Sequence, residues 1–141
     1  MTFNALNMLH GTEILADALD KNASPSEYDY RNYCGRAYYT AYHLVTERLD
    51  KDHGYLVVST TNSSYTNKGT HKRLTDFLLD HINIPSTNYH KDYKRLVLRL
   101  KNLTSKRVHA DYHLDKPMKD VDYHQAKTQL DGIAKLVTVT P

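Results

Sequence analysis

From Tyr30 to Leu49 the chain reads YRNYCGRAYYTAYHLVTERL, with small or apolar residues returning at Cys34, Ala37/Tyr38, Ala41, Leu44/Val45 and Leu49. That spacing lays one continuous stripe along an α-helix. Upstream, Ser24-Pro25-Ser26-Glu27 supplies a start, with Ser24 as the cap, Pro25 at the first helical position and Glu27 three residues beyond the cap. The helix is expected from about Pro25 to Lys51, stopping before Gly54. A purely structural helix has no need of Arg36, of the pair Tyr38-Tyr39 or of His43, so the stretch reads as the central helix of a bundle with something polar beside it.

The rest of the chain follows the same period. Phe3, Leu6, Leu9, Ile14, Leu15, Ala18 and Leu19 predict a first helix from about Phe3 to Leu19, ending near Asn22. Residues Gly54–Gly69 are rich in Ser, Thr and Asn and read as a surface loop. Thr70 caps a third helix over His71–Ile82, and Pro85 breaks the chain after it. A fourth helix begins near Thr87 or Asn88, carries Tyr93, Leu96, Val97, Leu100 and Leu103 inward, and lasts to about Tyr112, before Pro117. The last, Asp120–Val137, is expected to bury Val121, Leu130, Ile133 and Ala134. The pattern predicts one all-α domain over residues 1–141, an antiparallel bundle of four to five helices.

Composition narrows the setting. A chain of 141 residues can bury a core without disulfides, and its single cysteine excludes an internal one. Cys34 lies on the apolar stripe, which predicts a buried, inert thiol. No apolar run approaches the roughly 20 residues of a membrane span, and no leader pattern opens the chain, so a cytoplasmic protein is expected. Net charge is only +3, but seven Lys/Arg lie between His90 and Arg107 against one acid, Asp92. Nucleic acid suits so one-sided a stretch, although a solvated helix face explains most basic runs. Lys91, Arg95, Arg99 and Lys106 line up beside the core stripe of the fourth helix and are the candidate RNA-backbone contacts.

Four residues after Leu103, that core stripe arrives at Arg107. A buried arginine needs a partner. Either Arg107 pairs with Asp111 a turn later, or Arg36 reaches Asp111 across a helix interface, or Arg107 and His113 line a polar cleft open to a phosphate. His109 and His113 are four apart, a spacing that can place two metal ligands on one face, but no further ligand is designated and no metal or other cofactor is expected. His43 either faces the cleft beside Arg36 or lies on the surface. Tyr38, Tyr39 and Tyr42 read as core or dimer contacts rather than as base-stacking platforms. No Gly-rich phosphate loop and no Gly-x-Ser-x-Gly elbow is present.

Two motifs together carry a resemblance. Arg36-Ala37-Tyr38-Tyr39-(x3)-His43, followed by Arg107-Val108-His109-Ala110-Asp111-Tyr112, resembles the HEPN domain, above all its single-domain prokaryotic branch with helices reading SRAYYAxFH and RxxADY. The resemblance covers most of the chain. It implies a dimerising helical bundle and, for Arg107-(x5)-His113, the R-x(4–6)-H motif of metal-independent ribonucleases found in toxin–antitoxin, anti-phage and RNA-processing systems. Other members are non-catalytic modules that bind a nucleotide or a nucleotidyltransferase. Val108 stands where the nucleases often carry Asn, Asp or His, and Asp115 where some toxins carry a regulatory Tyr. The resemblance implies Arg107 and His113 as the catalytic pair, with Asp111, Arg36, Tyr112 and His109 in supporting places. It implies RNA and a second copy of the chain as partners, with an antitoxin or nucleotidyltransferase as a third.

On an unbroken helix, residues six apart are separated by about 240° around the axis and about 9 Å along it. Arg107 and His113 of one chain would therefore meet poorly on one phosphate unless the helix ended between them. A two-fold dimer would bring two of each to a shared cleft.

Overall fold

The computed structural model describes residues 4–82 and 90–138. These form seven helices: α1 (Ala5–Lys21), α2 (Glu27–His53), α3 (Tyr55–Thr61), α4 (Ser63–Thr66), α5 (Thr70–Ile82), α6 (His90–Tyr112) and α7 (Asp120–Thr138). No strand occurs among the described residues. The expected break at Pro85 and helix start at Thr87 or Asn88 lie outside them, as do Phe3 and the side chains of Ile82 and Lys91.

The central helix starts two residues later than expected. Its cap is Ser26, not Ser24: Ser26 Oγ accepts from Asp29 N and Asp29 Oδ2 accepts from Ser26 N at 2.8 Å, so two orphan donors are satisfied at once. Ser24 is instead held in the preceding turn, its N–H bonded to Asn22 Oδ1. At the other end Gly54, with φ of 65°, closes α2 in the left-handed conformation that glycine adopts without penalty.

Gly54 also lets the chain restart, and here the expected loop proves helical. Tyr55 and Tyr65 are the reason, since both are buried and pack on Phe77 of α5 with ring centroids 4.9 and 5.5 Å away. Around them the polar residues cap locally, Asp50 Oδ1 taking Leu56 N and Asn62 Oδ1 taking Ser64 N. A Ser/Thr/Asn-rich composition therefore disguised α3 and α4.

α2 runs through the core and packs on α1, α6 and α7. Contacts give the directions. Ala5 N meets Glu47 and Thr12 meets Thr40, so α1 and α2 are antiparallel. Arg31 meets His109 and His53 meets Tyr93, so α2 and α6 are antiparallel as well. Lys106 meets Asp122 and Arg99 meets Gln129, which reverses α7 against α6 and leaves it parallel to α2. The core stripe of α2 from Cys34 to Leu49 is buried, as are Leu96, Val97, Leu100 and Leu103 of α6. On α7 the inward stripe is Tyr123, Ala126, Leu130, Ile133 and Val137. Val121, expected inside, is 51% exposed, because two residues before Tyr123 lies nearly the opposite side of the helix.

Candidate functional site

Arg107 stands where α6 leaves the core. Its guanidinium carbon lies 5.1 Å from the ring centre of Tyr38, 5.4 Å from that of Tyr39 and 6.0 Å from that of Tyr112. Aromatic faces favour a cation at these distances. Asp111, one turn on, approaches Arg107 Nε at 3.5 Å, close enough for an ion pair but not aligned as a hydrogen bond, and Nε is buried without a hydrogen-bond partner. Burial opposes the charge on Arg107, but Tyr39, Tyr38, Tyr112 and Asp111 more than offset it and raise its pKa, so the group stays cationic. Of the pairings left open by the sequence, Arg107 with Asp111 is the one formed. Asp111 Oδ1 also overlies Gly35, at the distance of an ordinary contact to any added Cβ. Arg36 is exposed and points into a different cavity.

α6 ends at Tyr112, between Arg107 and His113. His113 opens the following loop with its side chain exposed. The loop itself is tightly held. Arg31 of α2 donates from Nη1 to the carbonyls of His109 (2.9 Å) and Ala110 (3.0 Å). Its Nη2 reaches Glu27 Oε1, His113 O and Lys116 O. Glu27 Oε1 in turn accepts from Met118 N at 2.7 Å, and His109 Nε2 bonds Lys116 O. His109 thus belongs to the loop's support. Residue spacing carries little sign of this role for Arg31, because its partners are separated from it by 78 to 85 residues; only Glu27, one helical turn away, is a local partner.

The basic stripe is largely engaged within the chain. Lys106 Nζ bonds Asp122 Oδ1 at 2.8 Å and also Gln125. Arg99 bonds Gln129 at 3.0 Å and lies across Gly132, where a Cβ would come within 2.5 Å of its Nη1. Both pin α6 to α7, so these two candidate RNA-backbone contacts are already engaged by a carboxylate and amides that α7 brings to the same side. Arg95 is exposed and has its own interaction within the chain.

Two cavities share Tyr39 and His43, and the smaller reaches Arg107. One of about 170 Å³ is lined by Tyr38, Tyr39, Tyr42, His43, Thr70 and Arg107. A larger one of about 500 Å³, between α1 and α2, shares Tyr39 and His43 and includes Arg36. His43 is exposed on the helix surface and lines both cavities, and Tyr39 is 46% exposed. His71, not singled out from the sequence, lies 6.1 Å from Tyr38 and bonds the Thr104 hydroxyl. Burial, with Lys101 and Arg107 nearby, holds its pKa below the ordinary histidine value. Cys34 is buried, and that burial, with Asp122 nearby, pushes its thiol pKa up to about 12. Among the described residues no group of three or more His, Cys, Asp or Glu is placed to hold a metal ion. No described helix is long and apolar enough to cross a membrane.

No family model, no curated protein and no solved structure matches this chain.

Proposed function

We propose that the chain is a metal-independent endoribonuclease of the HEPN type, cutting RNA at a composite site in which two copies each supply Arg107 and His113. The observation that carries this reading is the placing of His113 at the C-terminal cap of α6, where its N–H still bonds His109 O at 3.3 Å and its side chain is exposed. It keeps the helical register, about 240° around the axis from Arg107, so a second copy is needed to bring an arginine and a histidine to one phosphate. The exposed His113 side chain makes no hydrogen bond among the described residues, while its backbone is anchored through Arg31. A proton-transfer group on a firmly held loop suits catalysis across a two-fold axis.

The chemistry follows from the two residue types. Histidine, with an ordinary pKa of about 6.5, takes the proton of the 2′-hydroxyl as that oxygen attacks phosphorus. The bond to the 5′-oxygen breaks, and the second copy's histidine protonates the leaving group. The arginine fork binds the nonbridging oxygens as charge builds on them. The products are a 2′,3′-cyclic phosphate and a 5′-hydroxyl. On this reading the protein works in the cytoplasm, as a toxin or in antiviral defence, with an antitoxin or nucleotidyltransferase as a further partner and no cofactor.

A second reading is a non-catalytic module that binds a nucleotide or a nucleotidyltransferase. It is favoured by the contacts that already engage Arg107, the three tyrosine rings and Asp111. Incubation with RNA in EDTA separates the two. The nuclease leaves cyclic phosphate ends, and His113→Ala abolishes cleavage with an unchanged melting temperature. Undiminished cutting by that variant sinks the mechanism; a folded protein that binds nucleotides without cutting leaves the module.

A further inference from the structure

Arg107 is gripped by rings rather than by hydrogen-bond acceptors. Its guanidinium carbon lies over Tyr38, Tyr39 and Tyr112, and Asp111 comes nearest at Nε, out of line for a hydrogen bond. Among the described residues neither terminal nitrogen of Arg107 makes a hydrogen bond, although 25% of the side chain's surface stays open. A ring face attracts a cation through its quadrupole and takes up no particular N–H. A well-aligned carboxylate would instead occupy the same donors that a phosphate needs.

The three rings are not equivalent. Tyr38 is buried and belongs to the core whatever else it does. Tyr39 and Tyr112 are 46% and 67% exposed, so burial does not account for an aromatic residue at either position. Tyr39 meets Tyr38 edge-on at 5.3 Å, which fixes the ring that Arg107 lies over. For Tyr112, at the end of α6, Arg107 is the ring's partner within the chain. Neither exposed tyrosine hydroxyl makes a hydrogen bond among the described residues, which leaves the ring faces as the parts in use.

We infer that Tyr39 and Tyr112 are positioning residues for Arg107, holding its guanidinium against their faces while its terminal N–H groups stay free for the oxygens of a phosphate. Their role rests on the reading of Arg107 as the residue that binds the scissile phosphate. A long side chain restrained in this way has already lost the freedom that binding would otherwise remove. Because the ring faces do the holding, phenylalanine serves at both positions. Leucine, apolar but without a π face, does not.

The test compares a Tyr39→Leu/Tyr112→Leu protein with a Tyr39→Phe/Tyr112→Phe protein, each checked for folding by circular dichroism. Should the double leucine variant not fold, Tyr112→Leu alone takes its place. One readout is the arginine Nε–H region of a proton–nitrogen correlation spectrum, where the Arg107 signal is identified by its absence from Arg107→Lys. The other is kcat/KM for RNA cleavage in EDTA. In the wild type and the phenylalanine variant the Arg107 signal should be displaced by the rings, and in the leucine variant it should join those of exposed arginines. Cleavage should fall about tenfold in the leucine variant and stay within about twofold of wild type in the phenylalanine variant. An Arg107 signal unmoved by leucine overturns the proposal, as does wild-type cleavage by the leucine variant. Equal losses in both variants also overturn it, since the hydroxyls would then be the active parts. A wild-type protein that leaves RNA intact defeats the nuclease reading instead, and the Arg107 signal then decides by itself whether the rings hold the cation.

Discussion

Glu27 and Arg31, one turn apart on α2, are joined by a hydrogen bond of 2.9 Å and together grip the chain on both sides of the α6–α7 turn. Arg31 closes the carbonyl end of α6, taking the Ala110 oxygen and adding a second donor to the His109 oxygen, which also accepts from His113 N. Glu27 takes the N–H of Met118, 91 residues further along, just before α7 begins. A positive group at a helix C-terminus is also favoured by the helix dipole. His113 sits in the segment thus restrained, which links a structural clamp to the residue proposed for proton transfer.

Removal of the clamp should be costly. Arg31→Ala strips donors from the His109 and Ala110 carbonyls, so a loss of about 2 kcal/mol is expected. Arg31→Lys should recover only part, because an ammonium lacks the planar fork that spans neighbouring oxygens. Urea denaturation monitored by circular dichroism measures both. A midpoint for Arg31→Ala equal to that of the wild type would show that the clamp contributes nothing.

Two helical glycines should answer alanine differently. At Gly11 the new methyl meets open space, and stability should rise by about 0.5–1 kcal/mol from helix propensity alone. At Gly132 the methyl displaces the Arg99 guanidinium from its seat and from Gln129, so the same propensity gain should be cancelled. Thermal melts of the two variants provide the comparison. Equal gains would mean that the Arg99 contact has no energetic weight.

Acid should loosen the bundle before carboxylates titrate. Burial lowers the pKa of His71, with Lys101 and Arg107 adding to the effect, and burial together with His81 lowers that of His53. In the unfolded chain both titrate near the ordinary value of about 6.5. Their folded values are depressed, so the stability they contribute is present above about pH 6.5 and is lost as the pH falls through the folded values. The melting temperature should therefore drop between about pH 7 and pH 5, and a His53→Gln/His71→Gln variant should show a shallower slope. An identical slope in the double variant would assign the drop to other groups.

Much of the helical pattern was legible from residue spacing. The α2 stripe from Cys34 to Leu49 and the α6 stripe from Leu96 to Leu103 are buried as the period of 3.6 demands. Local signals were less reliable where two answers competed. Ser24 and Ser26 both look like caps, and only the reciprocal bond with Asp29 decides for Ser26. Tyr55 and Tyr65 lie in a loop-like composition, and what makes that stretch helical is burial against Phe77, a residue of a later helix.

The candidate site divides the same way. Arg107 falls on the core stripe by counting, and Asp111 is one turn away, so their pairing could be anticipated from helical geometry. That Arg99 and Lys106 are tied to Gln129 and Asp122, that Arg31 holds the end of α6, and that Gly11 opens a cavity facing Tyr39 could not.

By itself, then, the amino-acid order determined the long helices, most of their inward faces and the arginine at the edge of the core, because each depends on neighbours within a turn or two. Tertiary structure alone decided which charges are satisfied, which ring is left exposed and where a ligand has room. Those outcomes depend on groups brought together from distant parts of the chain, and a periodic pattern carries no record of which faces meet.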